Sequence, residues 1–174
     1  RLAVIDEKNG NQPIFSINKD ITIVFNGTIY NFKELKKFLE KKKINFKTNS
    51  DTEVVLNYYM YWKEKAFNFF DGMWSLAIYD KKKGELILSR DFVGQKPLFY
   101  CYHKNSFYFS SQLSGILVNK DISQTIDKNS LAKYYVYSTV PAPSTIYEDI
   151  FQLEAGEILS VDTNTLKLKK NFYW

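Results

Sequence analysis

The sequence predicts an α+β domain in which helices pack on antiparallel sheet. Three observations predict it. Two helical periodicities fall in the first third of the chain, two hairpin signatures follow in immediate succession, and a third closes the chain. At 174 residues, with 45% hydrophobic and 17% aromatic content, the chain is long enough for one domain with a substantial core.

The elements follow in order. Arg1-Leu2-Ala3-Val4-Ile5-Asp6 is apolar enough to read as a strand. Ile21-Thr22-Ile23-Val24-Phe25 is a β-branched run closed by Asn26-Gly27, which predicts a buried strand entering a tight turn. From Asn31 the apolar residues Phe32, Leu35, Phe38 and Leu39 recur at helical spacing among Lys and Glu, giving an amphipathic helix to about Lys42. Ser50-Asp51-Thr52-Glu53 has the S-x-x-E form of a capping box, so a second helix is predicted to start near Ser50 with Asp51 in its first turn. Met73 to Tyr79 and Glu85 to Arg90 flank a polar loop containing Gly84, and Phe99 to Tyr102 and Phe107 to Ser111 flank Lys104-Asn105-Ser106. After Asp127 a short helix carries Leu131, Tyr134 and Tyr135. Pro141 and Pro143 then favour an extended connector over helix. Gly156 to Val161 and Leu166 to Leu168 form the last hairpin, ahead of Tyr173-Trp174.

Composition excludes several function classes. Cys101 is the only cysteine and His103 the only histidine, so an intrachain disulfide, a thiolate zinc site and a histidine-rich metal centre are not expected. No apolar run reaches membrane-spanning length and no signal peptide is legible, which leads to the expectation of a soluble, cytoplasmic protein. The charge of +5 comes mostly from lysines clustered at positions 33–43, 81–83 and 167–170, on a predicted helix face and in turns. Without a recognition motif these read as solvated surface, so nucleic acid is not an expected partner.

Candidate chemistry lies in three places. Cys101 and His103 are i and i+2 on a predicted strand and share a face, but no orienting group or oxyanion device accompanies them. Asn26-Gly27 sets a side-chain amide beside a backbone N–H, a pair that could hold an oxyanion or could simply make a turn. Arg1 and Arg90 are the only arginines among 24 basic residues, which suggests that a planar fork is needed at each, for a carboxylate ligand or a buried Asp.

Five ordered blocks then carry a resemblance: Arg1-Leu2-Ala3-Val4-Ile5-Asp6, Phe25-Asn26-Gly27-Thr28-Ile29-Tyr30-Asn31, Ser50-Asp51-Thr52-Glu53-Val54, Asp71-Gly72-Met73-Trp74-Ser75-Leu76-Ala77 and Arg90-Asp91-Phe92-Val93-Gly94-Gln95-Lys96-Pro97-Leu98. Together they resemble the class II glutamine amidotransferase domain. Val140-Pro141-Ala142-Pro143-Ser144-Thr145-Ile146-Tyr147 and Leu153-Glu154-Ala155-Gly156 are similar to the passage by which asparagine synthetases leave that domain. The resemblance implies an N-terminal-nucleophile hydrolase fold, a four-layer αββα sandwich of two antiparallel sheets. It implies one amidotransferase domain over residues 1–174, with 138–174 leading toward a C-terminal synthetase domain in cis. It also implies hydrolysis of glutamine to glutamate and ammonia for ATP-dependent amidation of aspartate.

By the same resemblance Arg1 binds the glutamine α-carboxylate, Val4 and Ile5 help to position the substrate, and Asp51 binds its ammonium. Asn26 and Gly27 form the oxyanion hole, Thr28 lines the pocket, and Arg90 with Asp91 shapes the loop through Gly94 and Pro97 as a buried pair. No cofactor or metal is expected in this domain. ATP and Mg²⁺ are expected in the synthetase domain, and a homodimer is left open.

The sequence departs from the family pattern in three ways. The family nucleophile is an N-terminal Cys, which these residues do not include, so the chain as it stands is expected to be a fragment inactive in hydrolysis. Thr28 and Gln112 stand where the family commonly has Glu. The alternatives are a non-catalytic glutamine-binding or scaffold domain and an amidotransferase for another acceptor.

Overall fold

Side-chain alternation along the strands sorts the apolar residues into separate layers, and this alternation sets the architecture. In the computed structural model, which describes residues 5–6 and 11–174, nine strands form two antiparallel sheets. The strands are β1 (Ile14–Phe15), β2 (Ile21–Ile29), β3 (Gly72–Asp80), β4 (Glu85–Arg90), β5 (Phe99–His103), β6 (Ser106–Ser110), β7 (Ile150–Gln152), β8 (Glu157–Asp162) and β9 (Leu168–Phe172). The larger sheet runs β1-β2-β3-β4-β8-β9 and the smaller one β6-β5-β7.

The helices are α1 (Phe32–Lys41), α2 (Asp51–Trp62), α3 (Leu113–Leu117) and α4 (Lys128–Tyr137), with a 3₁₀ segment over Lys63–Phe69. Trp74, Leu76 and Ile78 of β3, Ile87 of β4 and Ile158 of β8 join Leu35, Leu39, Val55 and Tyr59 in a core beneath α1 and α2. Their neighbours Ala77, Leu88 and Leu159 point the other way and meet Leu98 and Tyr100 between the two sheets. Cys101, one residue after Tyr100, turns to the outer face of the smaller sheet and packs with Ile116 of α3. Helix, sheet, sheet, helix is the αββα sandwich expected from the resemblance. The opening strand expected over Arg1–Asp6 lies mostly outside the described residues.

The start of α2 differs from a capping box. Ser50 caps as expected, its Oγ accepting the Thr52 N–H at 3.2 Å. Glu53 does not reach back to the cap. Its carboxylate accepts the Lys47 and Thr48 N–H groups at 2.9 and 2.7 Å and the Thr48 hydroxyl at 2.7 Å, because the chain before the helix curls over it. The connector at Pro141–Pro143 is likewise tighter than expected, with the Ser144 N–H donating to the Pro141 carbonyl at 3.2 Å.

The passage from the larger sheet to the smaller one, residues 91–98, is held by Arg90 and Asp91. They were expected to pair with each other, yet each grips main chain instead. Arg90 donates Nε–H to the Lys96 carbonyl at 2.8 Å, an Nη1 proton to Leu153 O at 2.6 Å and an Nη2 proton to Gly94 O. Asp91 is fully buried and accepts the N–H groups of Trp74, Val93, Gln95 and Lys96 at 2.9–3.2 Å. Burial lowers the Arg90 pKa from its ordinary value, with the charge of Asp91 opposing the shift. The fork that arginine supplies is therefore used on carbonyls, because a loop without ladder partners must satisfy its polar groups locally.

Candidate functional site

Asn26 and Gly27 are mid-strand residues, not a turn. They pair with Ser75 and Trp74 of β3, and neither adopts positive φ. Asn-Gly favours turns because both residues tolerate positive φ, but an adjacent strand offering ladder partners overrides that preference. What requires glycine here is the closeness of β3. A Cβ at Gly27 would lie 2.1 Å from the Met73 carbonyl oxygen and 2.7 Å from the Trp74 Cα, both main-chain atoms. We expect Gly27→Ala to destabilise the domain by about 3 kcal/mol or more, the upper range of overpacking. Urea unfolding would show it, and a loss below about 1 kcal/mol would mean that the strands separate easily.

Alternation places the Asn26 side chain opposite the helix-packed Phe25, toward the smaller sheet. There a cavity of about 180 Å³ opens between the sheets, lined by Gln12, Asn26, Ser75, Leu98, Ser110 and Ser111. Among the described residues the Asn26 carboxamide has no hydrogen-bond partner. Ser75, its register partner, is 2% exposed and its Oγ is likewise without a partner among the described residues.

The main chain of β2 adds a second donor. Trp74, opposite Gly27, directs both its N–H and its C=O to Asp91. Gly27 therefore turns its own peptide groups away from β3, toward the β1 edge. Along that edge Ile21 is met by Ser16, Ile23 pairs with Ile14, Phe25 is bound by the Gln12 side chain, and the Ile29 N–H donates to Asp51 Oδ2 at 3.1 Å. Gly27 is the position in this series for which the described residues supply no partner. Its N–H thus faces the β1 side of the sheet beside a carboxamide to which no described residue bonds, and such an arrangement can hold an oxyanion.

Asp51 is 5% exposed and sits in the first turn of α2. The segment carrying the half-buried Ile5 is tied to the same place, since Asp6 Oδ2 accepts the Asn49 N–H at 2.9 Å. Ile5, Gly27 and Asp51 are thereby brought to one end of β2. Thr28 shares the Asn26 face of that strand. Arg1 and Val4 lie outside the described residues.

Cys101 and His103 do not form a working pair. Cys101 is 1% exposed among apolar side chains, and burial, with Asp149 adding, pushes its thiol up to about 11. His103 Nε2 is buried without a partner among the described residues. Those residues contain no cluster suited to a metal ion, and no helix among them is long and apolar enough to cross a membrane.

Sequence reasoning missed Gln12 and Ser75. For Gln12 the adjoining Pro13 signals only that a strand there would lie at a sheet edge.

A family described as "Glutamine amidotransferase domain" matches residues 1–174. A protein of Methanocaldococcus jannaschii named putative asparagine synthetase (glutamine-hydrolyzing) 2 is 38% identical over 191 aligned positions, covering 100% of this chain and 36% of that protein. Asparagine synthetase (glutamine-hydrolyzing) 1 of Bacillus subtilis is 37% identical, covering 92% of this chain and 25% of its own length. Among solved structures, the glutamine phosphoribosylpyrophosphate amidotransferase of B. subtilis superposes with a TM-score of 0.65 at 20% identity, over 94% of this chain and 32% of that one. That likeness bears on the fold, and this chain spans roughly a third or less of the relatives it matches.

Proposed function

Because the chain belongs to the glutamine amidotransferase domain family, we propose that it is the glutaminase half of an asparagine-synthetase-type enzyme. The observation that carries this reading is the pair of open donors, the Asn26 carboxamide and the Gly27 N–H, beside the inter-sheet cavity and near Asp51.

In this reading glutamine enters with its α-carboxylate on the Arg1 fork and its ammonium near Asp51, while Val4, Ile5 and Thr28 shape the pocket. A cysteine thiolate attacks the side-chain carbonyl carbon, forming a C–S bond and moving the π electrons onto oxygen. Asn26 and Gly27 donate to that oxyanion. Collapse breaks the C–N bond, and the proton first taken from the thiol leaves with the nitrogen as ammonia. Water then attacks the thioester, the same donors hold the second oxyanion, and glutamate departs as the C–S bond breaks.

The nucleophile in this scheme is an N-terminal cysteine outside these 174 residues. Cys101 cannot serve, being buried on the far face of the smaller sheet with no free amine beside it. Activation of aspartate, with its ATP and Mg²⁺, belongs to the part of the longer protein that this chain does not span.

Two measurements test the proposal. The full-length protein should release glutamate and ammonia from glutamine in equal amounts and, with aspartate and ATP, form asparagine. The 174-residue chain should bind glutamine by calorimetry and leave it intact. Failure of the full-length protein to release glutamate overturns the reading. Glutamate without asparagine would keep the glutaminase and reassign the acceptor.

A further inference from the structure

The edge of β2 holds a substitution of side chain for strand. The β1–β2 ladder pairs Ile14 with Ile23 and Phe15 with Thr22. Continued by two residues it would set residue 12 opposite Phe25, but the strand begins only at Ile14. There the Gln12 side chain stands in for the backbone. Its Nε2–H donates to the Phe25 carbonyl at 2.8 Å and its Oε1 accepts the Phe25 N–H at 2.7 Å, which reproduces the double bond of a paired strand residue.

Resting on the glutaminase reading, we infer that Gln12 is a positioning residue for the oxyanion donors. The Phe25 carbonyl belongs to the same rigid peptide plane as the Asn26 nitrogen. Holding both polar groups of Phe25 fixes the backbone from which the Asn26 carboxamide projects, and the next peptide carries the Gly27 N–H. Gln12 also lines the cavity that Asn26 faces. The clamp therefore preorganises both donors at the place where the β1 ladder gives out, and preorganised donors are the ones that favour a developing charge.

The test uses the full-length protein with Gln12→Met, which keeps length and apolar bulk without either hydrogen bond, and Gln12→Glu, which keeps an acceptor for the Phe25 N–H and loses the donor. Four measurements are made for each: kcat and KM for glutamate release, binding of glutamine to the form in which the nucleophilic cysteine is alanine, binding of glutamate γ-semialdehyde to the active form, and the urea unfolding midpoint. The aldehyde closes on the thiolate into a tetrahedral adduct that needs the oxyanion donors, whereas glutamine in the alanine form does not.

For Gln12→Met we expect kcat lower and aldehyde binding weaker by about 10-fold or more, somewhat less than deletion of a whole donor, with glutamine binding changed less than about 3-fold. Gln12→Glu should fall as far or further, since its carboxylate faces the Phe25 carbonyl. If wild type is active and kcat is unchanged in Gln12→Met, the role is overturned. A parallel loss of both affinities together with a lowered unfolding midpoint would also overturn it, leaving Gln12 as an edge cap. A wild-type protein that releases no glutamate removes the glutaminase reading and the Gln12 role together.

Discussion

Asp91→Asn is expected to destabilise the domain by about 4 kcal/mol, a large share of its stability. The wild-type carboxylate is fully buried and receives four main-chain N–H groups from two segments, β3 and the loop at 93–96. An asparagine of the same shape keeps one oxygen and turns an NH₂ donor toward groups that are themselves donors. Each buried N–H left without an acceptor costs about 1–3 kcal/mol, so two of them cost about 4 kcal/mol, against a whole-domain stability of about 5–15 kcal/mol. Arg90 draws its three carbonyls from Gly94, Lys96 and Leu153 and would lose its setting when the loop loosens. Soluble yield and the urea midpoint measure the effect. A variant within about 1 kcal/mol of wild type would show that water or a shifted loop satisfies the stranded groups.

Asn26→Ala in the full-length protein is expected to lower kcat for glutamate release by about 10²–10³-fold, the usual cost of removing one oxyanion donor, with KM for glutamine changed little. Stability should barely move, because the carboxamide makes no hydrogen bond to any described residue and the β2 ladder runs through main-chain atoms. That contrast with Gly27 is informative. Its neighbour's side chain is free of structural duty, whereas Gly27 cannot accept a Cβ at all. If Asn26→Ala kept wild-type kcat, the inter-sheet cavity would not be where the carbonyl is polarised.

Much of the fold was legible from periodicity. The helix beginning after Asn31 carries Leu35 and Leu39 into the core as its spacing predicts. Each hairpin assigned from a polar loop between β-rich runs is a hairpin. Asp127, flagged as the start of the short helix, caps it through the Asn129 and Ser130 N–H groups. These features depend on residues close in sequence, whose side-chain period or capping chemistry acts within a few positions.

Other features depend on residues distant in sequence. Asn26-Gly27 is a turn by local preference and a strand centre because β3, nearly fifty residues on, supplies its ladder. Arg90 called for a fork in the sequence, yet only the approach of Leu153 and the loop at 94–96 shows that carbonyls fill it. Glu53 has the spacing of a capping box, but the chain at 47–48 wraps around it and occupies its carboxylate.

Residue identities and their spacing thus determined the α+β class, the order of elements and the family resemblance, since hydrophobic period and local capping are short-range. The tertiary structure decided which donors stay open. A backbone N–H is free or bound according to the edge it faces and the neighbour that lies there, and only the packed sheet sets those two things. Among the described residues Gly27 is left without a partner because Trp74 is engaged with Asp91 and the β1 ladder begins only at Ile14.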